Sequence, residues 1–363
     1  CNNNRCGIYL SLSSSNNAIA GNTCGFNNSC GIYLYESRDN TVTGNTCNSN
    51  NSTGIYLVSS SNNNTVTGNT CCFNNSCGIR LSSSSDNTVT DNACYHNNNN
   101  GIYLMTSSHD NTVTDNACCH NNNNGIYLDW SSNNNTVTGN TCYHNNGDGI
   151  YLYSSSDNTI TGNTCNGNST GILLDSSSSR NAVTDNTCNH NTNYGICLAS
   201  SNNSTVTGNI CYYNKHGICL DSYSKHNAVT GNTCYNNNGD GIYLYKSSNN
   251  TVTGNTCNSN SNGIRLASSS NNTVTGNTCN YNNRIGIYLD ASSNNTITGN
   301  TCIRGIGTPE DYTTDQYTIL LSGADNNYNL ISSNNCMGKA VEVEGGTGNS
   351  AWGNKFDATN NLP

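Results

Sequence analysis

The chain holds 22 cysteines among 363 residues, and most of them recur at one interval. Cys24, Cys47, Cys71, Cys94, Cys118, Cys142, Cys165, Cys188, Cys211, Cys234, Cys257, Cys279 and Cys302 follow one another at 22 to 24 residues, with Cys1 before them and Cys336 after. If the copies stack one strand spacing apart, this column is either a pile of small apolar fillers or a set of vertical disulfides, because neighbouring Cα atoms then lie within disulfide range. The other cysteines cluster. Cys6 and Cys30 precede glycine in consecutive copies, Cys197 and Cys219 share a position in two later ones, and Cys72 and Cys77 flank one loop. These three pairs are expected to be disulfides, which implies an oxidising, extracellular setting. Cys119 is left without an outward partner, as a free thiol or a link to another molecule.

Imidazoles and carboxylates recur in the same way. His96, His120 and His144 take one position in three successive copies, with His190 two copies on and Cys119 beside His120. Rings one strand apart suggest a soft-metal site, but the position is an exposed corner. A solvated stack is therefore the expectation, and no metal or cofactor is. Asp91 and Asp115 form one acidic pair, and Asp129, Asp175, Asp221 and Asp290 share another column. Glycoside cleavage needs two carboxylates facing one groove.

What must position these groups is the repeat Asn135-Thr-Val-Thr-Gly-Asn140-Thr-Cys142-Tyr-His-Asn145, followed by Gly149-Ile-Tyr-Leu152. The Gly-Ile pair opens at Gly7, Gly31, Gly54, Gly78, Gly101, Gly125, Gly149, Gly171, Gly195, Gly217, Gly241, Gly263 and Gly286. So short and steady a period is one turn of a solenoid. Val137, Cys142, Ile150 and Leu152 each sit between polar neighbours, the alternation of short strands with one buried face. No helical spacing persists. Asn135, Asn140 and Asn145 fall at the bends, where asparagine suits left-handed backbone and can bond the amides above and below. The fold expected is all-β: a single right-handed, three-sided parallel β-helix of about 16 turns with asparagine ladders and an inward cysteine ladder, some 70 to 80 Å long at about 4.8 Å per turn.

Regular turns should fill residues 1–302, an inserted loop 303–316, and irregular last turns with a C-terminal cap 317–363, where Phe356 replaces cysteine and plugs the core. The chain opens partway through a turn and without Met, which suggests a processed export signal or an absent upstream piece. Composition agrees with a stacked fold: 33% hydrophobic and 9% charged is too polar for an ordinary core, whereas a solenoid gains stability turn by turn. A net charge of −9 with scattered basic residues argues against nucleic acid. No apolar run reaches membrane-span length.

The asparagine repeat with its Gly-Ile-x-Leu strand resembles the NosD-like and carbohydrate-binding/sugar-hydrolase type of right-handed parallel β-helix, abundant in exported proteins of methanogenic archaea. The resemblance covers residues 1–302 well and 317–356 loosely. It implies the fold and an exported location, and a family association with copper enzyme maturation. Where such repeats place Ile or Leu, this chain places Cys. The basic and histidine motifs of pectinase-like β-helices accompany none of the carboxylates above, so catalysis is not expected.

Two outward faces suit binding. Tyr9, Tyr33, Tyr56, Tyr103, Tyr127, Tyr151, Tyr243 and Tyr288 make an aromatic stripe suited to stacking on sugars or, more simply, on itself. Thr-x-Thr pairs such as Thr112 and Thr114 resemble those of ice-binding β-helices, though threonine is also a good strand residue. Glycosylation sequons fall in one column at Asn63, Asn134, Asn249, Asn271 and Asn294, and also at Asn27, Asn51, Asn74 and Asn168. Uniformity along the chain favours an extracellular structural protein, a disulfide-stapled rod whose partner is itself, in a surface layer, sheath or filament. A carbohydrate-binding or adhesive module is the alternative, and a carbohydrate-active enzyme the third.

Overall fold

The computed structural model describes residues 1–303, 317–337, 342–344 and 346–356. Among these residues every regular element is a strand, and the strands pair in parallel. No helix among them is long and apolar enough to cross a membrane. Most of the loop expected at 303–316 lies outside the described residues. The chain divides into two compact units, residues 1–187 and 188–363.

In the first unit three parallel sheets form three sides. Gly-Ile-x-Leu strands run from Ile8–Leu10 to Ile172–Asp175, Thr-x-Thr strands from Ala18–Ala20 to Ala182–Thr184, and cysteine strands from Thr46–Asn48 to Thr164–Asn166. Pairing is residue for residue: Ile102 on Ile126, Val113 on Val137, Cys118 on Cys142. The second unit repeats the plan. Its sides run from Tyr194–Ala199 to Glu342–Glu344 and from Thr205–Thr207 to Ser350–Trp352, with cysteine strands Ile210–Tyr212, Thr233–Tyr235 and Thr256–Asn258, and later Thr301–Ile303, Asn335–Met337 and Lys355–Phe356. Phe356 pairs with Cys336, but the side chain expected to plug the core lies outside the described residues. The fold is a parallel β-solenoid of about 14 turns. That is fewer than the 16 or so expected; on the cysteine side the copies of Cys24 and Cys279 pair only through isolated bridges at Thr23 and Thr278.

The interior turns bury one residue of every apolar column; Val113, Cys118, Ile126 and Leu128 are all 0% exposed. Asparagine satisfies the backbone between them. Asn92 donates its backbone N–H to Asn116 Oδ1 at 3.0 Å, and its Nδ2 donates to the same oxygen and to the carbonyls of Val66 and Thr90. The ladder asparagines are not themselves left-handed, contrary to expectation. Positive φ falls one residue earlier, at Gly44 before Asn45 or His96 before Asn97. That residue turns the corner so that the following amide points inward.

Candidate functional site

The outward positions of the Gly-Ile-x-Leu sheet carry the largest partly buried polar groups. In the first unit Tyr103, Tyr127 and Tyr151 stack face to face, with centroids 4.9 and 4.8 Å apart and planes 5° and 6° from parallel. Direct register between strands causes this, since identical side chains must share one rotamer to fit the rung spacing. Above them the Arg80 guanidinium lies between the rings of Tyr56 and Tyr103, at 4.9 and 5.6 Å. Hydroxyls are fixed by carboxylates: Tyr103 Oη donates to Asp129 at 2.9 Å and Tyr151 Oη to Asp175 at 3.2 Å. Burial, and the carboxylates beside them, push the Tyr103, Tyr127 and Tyr151 phenols up. Because the rings cover one another, the stripe presents edges, hydroxyls and carboxylates rather than open faces for sugars.

The second unit departs most from uniformity. The residue before glycine is Tyr194, His216, Asp240 and Asn262 in four successive turns. His216 stacks on Tyr194 at 5.7 Å and on Tyr243 at 5.3 Å. Its Nδ1 accepts the Asp240 backbone N–H at 3.0 Å and lies 3.4 Å from Asp240 Oδ2. Asn262 Nδ2 donates to the other Asp240 oxygen at 2.6 Å. Next to them Arg265 lies between Tyr243 and Tyr288 and pairs with Asp290 at 3.0 Å. Burial pushes the Tyr243 phenol up to about 12. Asp240 Oδ2, Asn262 Oδ1 and Arg265 Nε are buried with no hydrogen-bond partner among the described residues. Sequence reasoning missed this cluster; the signal was the run of polar residues before glycine, each of a different type.

The expected site residues are sorted by the structure. The inward column from Cys24 to Cys302 is buried throughout. Cys197 and Cys219 oppose each other in register with sulfurs in contact, and the Gly7 N–H donates to the Cys30 carbonyl, setting Cys6 and Cys30 on adjacent rungs. Cys72 instead meets the Tyr95 hydroxyl and Cys77 meets Ser76 and Asn100, so a bond between those two would displace these contacts. Cys119 is 8% exposed against Tyr143, which leaves little sulfur for a second molecule. His96, His120 and His144 stack at 5.1 and 5.3 Å with planes 17° and 24° apart, continuing from Phe73. Asp91 and Asp115 are exposed left-handed corner residues of adjacent turns. Asn63, Asn134, Asn249, Asn271 and Asn294 are exposed corners too. The sequons at Asn27, Asn74 and Asn168 are not accessible: all three are buried ladder asparagines, whose amides are committed to the core.

The family model described as periplasmic copper-binding protein (NosD) matches residues 1–77, 58–193 and 178–306. No curated protein sequence matches the chain. Among solved structures, the mannuronan C-5 epimerase AlgE6 A-module of Azotobacter vinelandii is similar at 14% identity and a TM-score of 0.59, over 95% of this chain and 91% of that one. The Dettilon tailspike protein (gp208) is similar at 16% identity and a TM-score of 0.56, over 77% of this chain and 62% of that one. At such identities the likeness is one of fold. The family model spans most of the chain, and on that ground the chain belongs to the NosD family.

Proposed function

We propose that the protein acts outside the cytoplasm as a polysaccharide-binding β-helix, holding an extended sugar chain on the outward face of its Gly-Ile-x-Leu sheet. The observation that carries this reading is the phenol column Tyr103–Tyr127–Tyr151, with Asp129 and Asp175 on its hydroxyls and Arg80 at its head. A phenol recurs there in each of three turns and a carboxylate in every second one, on a surface whose rotamers are already fixed, so little side-chain entropy is lost on binding. The fold is shared with a mannuronan C-5 epimerase and a tailspike protein, and the first of these supports the class of ligand. The test is affinity electrophoresis against a panel of neutral and uronate polysaccharides, with Tyr103, Tyr127 and Tyr151 changed to Phe. Rings and stacking survive in that triple variant, so at least a tenfold loss of affinity is expected. Retention of full affinity, or no binding by the parent protein, would overturn the reading.

One observation favours turnover as well as binding. His216, Asp240, Arg265 and Tyr243 gather on one face in the second unit, and His216→Gln would abolish product formation while leaving affinity intact. The expectation of a self-assembling rod rests on uniformity, and these uneven columns weaken that argument. Electron microscopy of the same preparation, with and without reductant, reads it directly.

Copper is named in the family description, and two sets of residues bear on it. The nearly parallel rings of His96, His120 and His144 aim their in-plane lone pairs side by side, so they do not converge on an ion. The inward sulfurs are soft and adjacent. They lie in a dry core, and among the described residues no three His, Cys, Asp or Glu side chains gather to hold an ion, so the residues present do not fit copper.

A further inference from the structure

We propose that the first-unit face takes a heteropolysaccharide with isolated uronate residues, one carboxylate seated on Arg80 and neutral sugars lying over Asp129 and Asp175. This rests on the polysaccharide reading above and specifies the charge pattern of the ligand. Arginine takes the outward place of the Gly-Ile-x-Leu strand twice, once in each unit. Arg80 lies between the rings of Tyr56 and Tyr103 at 4.9 and 5.6 Å, and Arg265 between those of Tyr243 and Tyr288 at 5.5 and 5.2 Å. Register makes the two sandwiches equivalent, since each arginine pairs with a tyrosine on the strand before and on the strand after.

The sandwiches differ in one neighbour, the residue 25 positions further on, which meets the guanidinium in both. In the second unit it is Asp290, whose carboxylate accepts from Arg265 Nη2 at 3.0 Å. In the first it is Met105, whose thioether accepts from Arg80 Nη2 at 2.7 Å. A thioether is a weak acceptor and carries no charge. Arg80 Nε is buried without a hydrogen-bond partner, and among the described residues Arg80 makes no ion pair. The columns on either side offer none within one rung: they hold Thr53, Cys77 and Asn100 before glycine, and Val58, Ser82 and Met105 after leucine. A half-buried charge left alone is costly, so this cation calls for an anion. Guanidinium matches the planar carboxylate through paired N–H bonds. The ligand supplies at Arg80 what Asp290 supplies at Arg265.

The rest of the face limits how often the ligand is charged. Asp129 and Asp175 follow two and four turns beyond Arg80. Two rungs are about 10 Å, too far for Arg80 to pair with Asp129 as Arg265 pairs with Asp290. Asp129 is buried and Asp175 half-buried, and among the described residues neither has a basic partner. A carboxylate on every sugar would bring like charge over both, and salt screens a buried charge poorly. Neutral sugars meet no such repulsion.

The probes are oligosaccharides of deacylated gellan, whose repeat carries a single glucuronate among neutral sugars, the same oligosaccharides with that carboxyl reduced to the alcohol, polygalacturonate fragments of equal length, and dextran sulfate. Calorimetric titration of the full chain at low salt should rank gellan roughly tenfold or more above its reduced form, and above both polyanions. Added salt should narrow that preference. Met105→Asp gives Arg80 the internal carboxylate that Arg265 already has, and should abolish the preference for gellan over reduced gellan. Arg80→Gln should abolish it too. Equal affinity of the parent protein for gellan and reduced gellan, tighter binding of polygalacturonate or dextran sulfate, or a preference untouched by Met105→Asp would each overturn the proposal. In those outcomes a glycan is still bound and the polysaccharide reading stands, whereas binding of no glycan at all would sink both. If Arg80→Gln fails to fold, the ranking by the parent protein and Met105→Asp, which has Asp290 as its precedent in the same fold, still decide.

Discussion

Single side chains in this fold inherit their chemistry from the rung above and the rung below. Asp148 occupies the position before glycine that Asn100 and Asn124 fill in the two preceding turns, and its Oδ1 accepts the Thr170 N–H at 2.9 Å. Burial pushes its carboxyl up to about 6. The unfolded chain releases that proton near pH 3.9, so the folded state binds more protons between the two values. The contribution of Asp148 to stability is therefore fully present below about pH 4 and is lost as pH rises through 6. Asp148→Asn keeps the acceptor and removes the charge, and should stabilise the protein by on the order of 2 kcal/mol at pH 7.5 and by almost nothing at pH 4. Urea melts at the two pH values check this; an equal gain at both would rule out charge burial as the cause. His120 behaves in the opposite sense. Burial, and then His96 and His144 beside it, lower its pKa. Its stack is at full strength above the unfolded value near 6.5 and weakens as pH falls below it. His120→Phe, a residue the same corner already accepts at Phe73, should flatten the stability profile between pH 5 and 7. The histidine stack was expected from the sequence, but the burial of Asp148 was not legible there. Asn-Gly-Asp148-Gly reads as a loop, and only stacking reveals it as a buried column.

At the scale of the strand and its corner, the sequence was far more explicit, because every copy states the same constraints again. Alternation at Val137, Cys142, Ile150 and Leu152 predicted three short strands, and each of those residues is 0% exposed. What the pattern does not encode is how the column before glycine differs between turns, which is why His216, Asp240 and Asn262 escaped notice while the ladder did not. Glycines divide on the same principle. A Cβ at Gly101 would stand 2.6 Å from the Gly125 carbonyl oxygen and 3.0 Å from the Cys118 side chain, both rigid parts of the next turn. Gly101→Ala should cost about 1–3 kcal/mol through overpacking. Gly68 turns a corner at φ +63° with its Cβ direction open, and Asp91 and Asp115 adopt the same backbone in the following turns. Gly68→Asp should accordingly leave the thermal midpoint within a degree or two. A reversal of that order would mean that the corners, not the rung contact, require glycine.

For the molecule as a whole, sulfur gives the most direct readout of whether the stacks exist in solution. Cys1 is exposed and Cys6 half-buried, while the other cysteines are buried. Burial also pushes thiols such as Cys71 and Cys257 well up, which keeps them protonated and poor nucleophiles at neutral pH. Brief alkylation of the reduced native protein should therefore label Cys1 and Cys6 and spare the remainder, with all 22 labelled after denaturation. Intact mass spectrometry resolves the two states. Denaturing without reductant then separates the outward pairs from the column. Bonds at Cys6–Cys30, Cys197–Cys219 and Cys72–Cys77 would leave six fewer thiols, and peptide mapping would place the loss at those residues. Since Cys72 and Cys77 are engaged by Tyr95 and Asn100, that pair should be the most weakly oxidised of the three. Fast labelling of Cys94 or Cys118 in the native protein would refute the buried column, and with it the alignment of successive turns on which every site above depends.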